Sequence, residues 1–295
     1  MRTSTLKWGL VGASVVAIVL VAALVGGQAA AARSKPRHAR LRSNAMRVVV
    51  PRGQPLQFAF TADTTQGSPF AEFSNSAENA IQMAIEQHPT IRGFPIQVND
   101  VETLCEGDNT QSATAIVDNK QNTAVLGNLC SAGSESALPI YEAAGVVTIS
   151  GSASRSDLPS LAPAVFDRTI VVSDVVGDAG DLWANEVATL PSVLKWDQEY
   201  EDEFGTTPVL SPLPALYFDA ASLLLHRLQQ VSGIIDGNLV INRAALAAAV
   251  RDTTYYQGVS CTITLDPATG DRVNDPAALS QCAKQCAQQS EKPLP

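Results

Sequence analysis

Short apolar segments alternate with longer amphipathic segments along this chain. The short runs are apolar or β-branched, which predicts strands buried in a sheet. The longer runs place apolar residues three and four positions apart, which is typical of helices with one buried face. The alternation predicts an α/β fold with a mainly parallel sheet and helices on both faces. The predicted strands are residues 56–62, 96–101, 124–126 and 146–150, and the first two predicted helices are residues 70–88 and 109–118.

Proline limits where the third helix begins. Because proline is tolerated best in the first turn of a helix, Pro139 predicts a start at Ser134 or Ser136 and an end at Gly145. Asn109 is predicted to cap the helix before it, since Asn is a preferred N-cap residue.

Two Ser-rich loops frame this third helix. Residues 123–154 predict a strand–helix–strand unit, so both loops leave the carboxyl ends of adjacent parallel strands. Open α/β sheets bind small ligands at that edge. The hydroxyls of Ser131, Ser134, Ser152 and Ser154, with the free N–H groups of the helix start, suit a carboxylate or another small anion. Ser-rich loops are equally common as connecting segments.

The second half of the chain has a weaker pattern. A charged surface helix is predicted where acidic residues crowd before a glycine, and an apolar stripe predicts a longer helix after it. The predicted elements are strands at residues 165–172 and 256–265, and helices at residues 196–204, 215–231 and 242–250.

Charge is distributed unevenly along the 295 residues. The first 47 residues carry eight of the 20 Lys and Arg and none of the 29 Asp and Glu, so the rest has a net charge of −17. Nucleic-acid binding needs a basic face, and this body is a poor candidate for it. Residues 1–32 predict a signal peptide, with an uncleaved membrane anchor through residues 8–25 as the alternative. Export to the periplasm or the extracellular space is the interpretation adopted, with membrane contact only through that segment.

Export changes the interpretation of the five cysteines, because disulfides persist outside the cytoplasm. None of them has zinc-type spacing, so no metal and no cofactor is expected. Cys261 is predicted to pair with Cys282 or Cys286, and the sequence does not choose between them.

A serine hydrolase is the first enzyme class to consider at Ser131. The nucleophile elbow of such enzymes needs Gly two residues before the serine, and that position is Leu129. The three histidines, His38, His88 and His226, lie in the linker or on predicted helices, so a general base is also lacking. The chain is therefore predicted not to be an enzyme.

Four segments carry a resemblance to a known family: GNLCSAGSESALPIYEAAGVVTISGSASRSDLP (127–159), FDRTIVVSD (166–174), FG with ALYFDAASLLL (204–225) and YQGVSCTITLDPATGDR (256–272). With them the chain resembles the periplasmic leucine/branched-chain amino-acid-binding proteins that serve ABC transporters. The resemblance covers most of residues 55–272. It implies a type I periplasmic binding fold, of which this chain would keep a single Rossmann- or flavodoxin-like lobe.

The resemblance also implies roles for particular residues. Cys105 and Cys130 correspond to the cysteines that frame the family's first binding loop, and they are expected to form a disulfide. Ser131 matches the hydroxyl that holds the ligand carboxylate. Ser152 and Ser154 fall where the family binds the ligand's amine through a carbonyl and its carboxylate through a hydroxyl. Phe73 falls near the aromatic residue that lies against the ligand.

One departure from the family is large. Its second lobe should follow residues 166–174, but only about twenty residues intervene here, too few for a domain. The acid that pairs with the ligand's ammonium belongs to that lobe and has no counterpart. The expected function is an exported solute-binding protein with weak amino-acid binding and a possible ABC permease partner. Alternatives are a single-lobe sensor or protein-interaction module, and a decaying gene product without activity.

Composition and motifs together predict how the chain is divided into segments. The chain comprises residues 1–32 as signal peptide or anchor, 33–54 as a basic flexible linker, 55–174 and 196–272 as the two parts of the α/β lobe, 175–195 as a short bypass in place of the second lobe, and 273–295 as a polar C-terminal tail.

Overall fold

Strands and helices alternate through the first half of the protein. Its structure, a computed structural model, describes residues 46–172 and 179–290. The strands are β1 (Arg47–Val50), β2 (Leu56–Ala62), β3 (Thr90–Ile91), β4 (Phe94–Glu102), β5 (Asn122–Leu126), β6 (Val147–Ser150), β7 (Phe166–Arg168), β8 (Gly233–Ile235), β9 (Asn238–Asn242), β10 (Tyr256–Gly258) and β11 (Cys261–Ile263). The helices are α1 (Ala71–Gln87), α2 (Thr110–Asp118), α3 (Ser131–Ala144), α4 (Ala179–Ala188), α5 (Pro191–Phe204), α6 (Leu213–Val231), α7 (Arg243–Arg251) and α8 (Pro276–Ser290).

A six-stranded sheet forms the centre of the fold, in the order β3-β4-β2-β5-β6-β7. Every neighbouring pair is parallel except β3 and β4. All residues of β5 and β6 are buried, which is typical of strands covered by helices on both faces. Helix α1 packs on α6, and α2 packs on α3. The mainly parallel α/β sheet predicted from the sequence is confirmed.

The predicted linker ends earlier than expected. Strand β1 pairs antiparallel with β9, and Val48 and Val50 are buried while Arg47 and Val49 face out. This alternation is the period-two pattern of a half-buried strand. The flexible-linker prediction is therefore wrong for these residues. Its partner strand lies almost 200 residues later, which local composition does not reveal.

The predicted polar tail is attached to the rest of the fold by a helix and a disulfide. Residues 276–290 form α8, and a disulfide joins Cys282 to Cys261, with 5.9 Å between their Cα atoms. This bridge decides the choice left open between Cys282 and Cys286. The side chain of Leu279 is buried, so the helix contributes an apolar contact as well as the covalent link.

One predicted strand is a hairpin. Residues 256–265 form β10 and β11, which pair antiparallel, with Gly258 opposite Cys261. The turn between them depends on Asp219 of α6, whose carboxylate accepts hydrogen bonds from the Val259 N–H (2.7 Å) and the Ser260 N–H (2.9 Å). A distant carboxylate therefore makes this turn, which explains why local sequence predicts a continuous strand.

Two helices differ from their predictions. Helix α3 starts at Ser131, three residues before the earlier of the two predicted starts, and contains Pro139 in its interior. Both Pro139 and Glu135 are exposed, so water can satisfy the Glu135 carbonyl that Pro139 cannot bond. The charged helix α5 is not wholly on the surface, because Val193, Trp196 and Tyr200 form a buried stripe at helical spacing.

The described part of the predicted bypass, residues 179–195, is largely helical. Described residues between 160 and 200 form β7, α4 and the first part of α5, and they contain no second sheet domain. The strand predicted at residues 165–172 is shorter, since β7 ends at Arg168. Within the described part of the chain, no helix is long and apolar enough to cross a bilayer. The predicted apolar segment at residues 8–25 lies outside the described residues.

Buried charges join the last strand of the sheet to the C-terminal half. The Arg251 Nε lies 2.5 Å from the Asp167 carboxylate, and its NH2 group donates to the Phe166 carbonyl (2.7 Å). Burial, with a smaller contribution from Asp271, raises the pKa of Asp167 to about 7, although Arg251 opposes the shift.

This shift predicts a pH dependence of stability. The folded-state pKa of Asp167 is raised above its unfolded value, so its contribution is fully present below about pH 4 and is lost as pH rises towards 7. Asp167→Asn removes the titration. We expect the thermal midpoint of the wild type to fall relative to that of Asp167→Asn between pH 4 and 7. A difference between the wild type and Asp167→Asn that stays constant from pH 4 to 7 would contradict the prediction.

Candidate functional site

Loops that follow β2, β4, β5 and β6 meet at the carboxyl edge of the sheet. The predicted disulfide is confirmed there, since Cys105 and Cys130 are bonded with 5.0 Å between their Cα atoms. Asn109 makes no side-chain cap on α2, contrary to prediction. Its Oδ1 accepts from the Leu104 N–H (2.8 Å) and its Nδ2 donates to the Gly133 carbonyl (2.9 Å). Asn109 therefore holds the loop after β4 against the start of α3.

The loop after β5 is held by its own polar groups. The Thr61 hydroxyl donates to Asn128 Oδ1 (3.1 Å), and the Ser150 hydroxyl donates to the Asn128 carbonyl (2.7 Å). Gly127 has φ +133, and a Cβ atom there would lie 1.9 Å from the Thr61 hydroxyl oxygen. Only glycine fits this close approach. The loop that leads into α3 is thereby fixed between β2 and β6.

Ser131 is the first residue of α3 and is half-buried. Its Oγ accepts a hydrogen bond from the Arg155 N–H at 3.2 Å. The first turn of a helix carries backbone N–H groups without partners inside the helix, and its dipole favours an anion. The hydroxyl to which the resemblance assigns the ligand carboxylate is therefore half-buried at the start of a helix.

Ser152 and Phe73 both contact Tyr217 of α6, a residue that the sequence pattern does not identify as part of the site. The Ser152 hydroxyl donates to the Leu129 carbonyl (2.5 Å) and lies 3.0 Å from the Tyr217 hydroxyl. Phe73 is buried, and its ring packs edge-on against Tyr217 with 6.3 Å between centroids. Two of the four predicted contact residues therefore already contact Tyr217 of α6.

Tyr217 lies in the first turns of α6, within an apolar stripe. It is fully buried, and burial raises the pKa of its hydroxyl. The hydroxyl also donates to the Asn128 carbonyl (3.4 Å). In the sequence, the apolar periodicity of α6 identifies Tyr217 as a core residue. Its hydroxyl, a polar group in an otherwise apolar stripe, is the feature that could have indicated a role in the site.

Ser154 is half-buried in the loop after β6, and the next residue, Arg155, forms the outer rim of the site. The Arg155 guanidinium bonds the Asp157 carboxylate through Nε (2.6 Å) and also pairs with Glu135 of α3. Hydrogen bonding to Asp157 raises the pKa of Arg155, and the same contact lowers the pKa of Asp157. The basic charge at this rim is thus already paired with acids.

Other concave surface lies beside α6, away from the serines. Two pockets of about 480 and 360 Å³ share His88, Ser222 and Tyr256, so they adjoin each other. Neither is lined by Ser131, Ser152 or Ser154. Among the described residues, no cluster of three or more His, Cys, Asp or Glu could hold a metal ion.

Comparison by sequence finds no relatives. No protein-family profile matches the chain, and no curated protein matches it.

Comparison by structure finds similar folds among ABC-transporter proteins. One is a branched-chain amino acid ABC transporter protein from Rhodospirillum rubrum, with a TM-score of 0.60, 15% identity, and coverage of 75% of this chain and 96% of that chain. A leucine-binding protein from Thermotoga maritima gives a TM-score of 0.58 and 15% identity, with 74% and 93% covered. A branched-chain amino acid transporter substrate-binding protein from Streptococcus pneumoniae, solved with isoleucine, gives a TM-score of 0.58 and 14% identity, with 75% and 94% covered. The chain has the type I periplasmic binding protein fold, as the resemblance implied.

Proposed function

We propose that this chain is an exported, non-catalytic solute-binding protein that takes a small ligand of the leucine or branched-chain amino-acid type. The proteins of similar fold are ABC-transporter substrate-binding proteins. An ABC permease is the partner that this function requires. Fold alone does not carry function, so the proposal depends on the residues at the carboxyl edge of the sheet.

Ser131 is the observation that carries the proposal. Its oxygen accepts from the Arg155 N–H, and among the described residues its hydroxyl has no acceptor, which leaves the hydrogen for a ligand carboxylate. It stands at the N-terminus of a 14-residue helix, where an anion is stabilised by the helix dipole. Ser154 lies in the facing loop, two residues beyond Ser152, and supplies a second hydroxyl.

The proposed affinity is weak. The Ser152 hydroxyl already donates to a carbonyl, and Phe73 is 3% exposed, so neither offers much to a ligand. A single lobe also gives the ligand one wall, whereas hinge closure of two lobes would enclose it. Two or three hydrogen bonds worth about 1–2 kcal/mol each, less the freedom that the ligand loses, correspond to a Kd of about 1 mM or weaker.

Ser131→Ala is expected to weaken binding of L-leucine by about 10- to 30-fold, because a hydrogen bond to a charged group contributes about 1.5–2 kcal/mol. At a wild-type Kd near 1 mM, this loss makes binding undetectable. Ligand-observed NMR titration of purified monomer measures both proteins under the same conditions.

Ser160→Ala is the control, because Ser160 is exposed and its hydroxyl bonds only the Asp157 carbonyl of its own turn. Its leucine affinity should equal that of the wild type. Unchanged binding in Ser131→Ala would remove Ser131 from the site. Micromolar binding of leucine by a proven monomer would contradict the prediction that a single lobe, which covers the ligand on one side only, binds weakly.

A single-lobe sensor or interaction module is the second candidate. The contacts of Tyr217 with Ser152 and Phe73 favour it, because they occupy two of the predicted ligand contacts. A wild-type protein that binds no amino acid in the same titration would support this function over solute capture.

A further inference from the structure

The larger of the two pockets beside α6 differs in charge from the rest of the protein. Its volume of about 480 Å³ lies within the range of about 300–1,000 Å³ that small-molecule sites occupy. Arg92, His88 and His226 line it, and no Asp or Glu is among the described residues that do so. Residues 48–295 carry a net charge of −17. A concave surface lined by basic side chains on so acidic a body favours an anionic ligand.

Arg92 supplies a positive charge that no carboxylate of the described residues pairs with. It lies in the turn between β3 and β4 with a φ of +49°. Its Nε donates to the Ser232 hydroxyl (3.2 Å) and its NH2 group to the Gln229 carbonyl (2.9 Å), both at the C-terminal end of α6. The negative end of the helix dipole compensates only part of a full charge. These contacts fix the guanidinium and use two of the five N–H donors that an arginine carries, so donors remain for a ligand carboxylate.

The same pocket has hydroxyl groups without partners and an apolar wall. Ser222 and Tyr256 are half-buried, and their hydroxyls form no hydrogen bond with another residue that the structure describes. The Tyr256 ring packs against the ring of His226, with 5.8 Å between centroids. Ile91 and Leu225 are buried beneath the pocket surface and are apolar. The lining therefore suits a ligand with an anionic group and an apolar body.

The charges around His226 repel its protonated form. Burial, followed by the positive charges of Arg227 and His88, lowers the pKa of His226. A bound anion would offset this repulsion, so its affinity is expected to rise as pH falls and His226 takes up a proton. The charged or titratable groups around this ring are Arg227 on its own helix, His88 at the end of α1, Arg92 in the β3–β4 turn and Tyr256 of β10, with Asp219 and Glu199 in the adjoining pocket.

We infer that this pocket binds a small organic carboxylate with an apolar body. Arg92 and His226 hold the carboxylate, and Tyr256 and Leu225 contact the apolar part. The inference goes beyond the proposed function, because the pocket is not lined by Ser131 or the other serines of the sheet edge.

Two probes test the charge that the pocket selects. 3-Phenylpropanoate carries the carboxylate and an apolar ring, and 3-phenylpropanamide keeps the ring without the charge. In ligand-observed NMR titration, the wild type should bind the acid at least about 10-fold more tightly than the amide, since hydrogen bonds to a charged acceptor are stronger. Equal binding of the two probes, or binding of neither, overturns the inference.

The pH dependence tests His226. The carboxylate of 3-phenylpropanoate stays ionised between pH 6 and pH 8, whereas histidine titrates there. Affinity for the acid should be roughly 3-fold or more higher at pH 6 than at pH 8. An affinity that is the same at both pH values overturns the role of His226.

Arg92→Asn tests the guanidinium. Asn tolerates the left-handed backbone of this turn, so the variant removes the charge at a compatible position. It should bind 3-phenylpropanoate about 10-fold more weakly and 3-phenylpropanamide as before. The control Arg52→Asn removes an exposed guanidinium, which changes the net charge equally, and should leave both affinities unchanged.

Ser131→Ala separates this pocket from the serine loops. It should weaken the binding of leucine and leave the binding of 3-phenylpropanoate unchanged. Loss of 3-phenylpropanoate binding in Ser131→Ala, with binding retained in Arg92→Asn, would place the carboxylate at the serine loops and overturn the inference. A wild type that binds 3-phenylpropanoate but no leucine would overturn the proposed function alone. Should Arg92→Asn not fold, the selectivity of the wild type between acid and amide decides, together with Ser131→Ala.

Discussion

Replacing Arg272 by methionine is expected to lower the free energy of unfolding by about 3–5 kcal/mol. The guanidinium is almost completely buried, donates to the carbonyls of Ser260 (2.8 Å) and Thr169 (2.9 Å), and lies 4.8 Å from the centroid of the Trp183 ring. It is also the positive charge near Asp219, a buried carboxylate whose pKa is raised by burial. The substitution leaves these two carbonyls buried without their donor, at a cost of about 1–3 kcal/mol each, and removes a nearby positive charge from Asp219, which keeps its bonds from the Val259 and Ser260 N–H groups.

Chemical denaturation followed by circular dichroism measures the effect. For a domain of this size, the loss corresponds to a fall of roughly 6–20 °C in Tm. The control Arg52→Met removes an exposed guanidinium and should change stability by less than about 0.5 kcal/mol. A loss below about 1 kcal/mol for Arg272→Met would contradict the prediction that the buried carbonyls of Ser260 and Thr169 depend on Arg272.

Removal of the disulfide between Cys105 and Cys130 is expected to lower stability by about 3–4 kcal/mol in the chain-entropy model. The bridge closes a loop of 25 residues. Replacement of both cysteines by alanine should also abolish leucine binding. The bridge ties the start of α3, where Ser131 follows Cys130, to the loop after β4 that contains Cys105. Urea unfolding and NMR titration measure the two effects separately.

The second disulfide provides a matched control. Cys261 and Cys282 are 21 residues apart, so their double alanine variant should lose a similar amount of stability. This bridge joins the β10–β11 hairpin to α8 and does not touch the serine loops. Leucine binding should therefore survive. Equal loss of binding in both variants would show that it follows from reduced stability alone.

The parallel sheet could be predicted because its evidence is local. Strands β5 and β6 are short runs buried on both faces, and each is followed or preceded by a helix with its own apolar stripe. Elements that depend on distant partners were missed. Strand β1 exists because β9 pairs with it, and the turn after Gly258 exists because Asp219 accepts two backbone N–H groups.

In the candidate site, too, some residues are identified by local sequence and others only by the folded structure. Ser131 and the pair Cys105–Cys130 are visible because motif and strand–helix pattern place them at the sheet edge. Tyr217 could not be identified in this way, because in the local sequence it is one more core residue of α6, and its contacts with Ser152 and Phe73 arise only from packing.

Strand β1 also determines where Met46 lies relative to the serine loops. The Met46 carbonyl accepts from the Arg243 N–H, and Arg243 in turn donates to the carbonyl of Asn122 at the start of β5. Met46 therefore enters the lobe at the amino edge of the sheet, about 20 Å from the serines across the length of a seven-residue strand. A label or tether fixed at Met46 itself would therefore lie at the edge of the sheet opposite the serine loops, where it would not cover them.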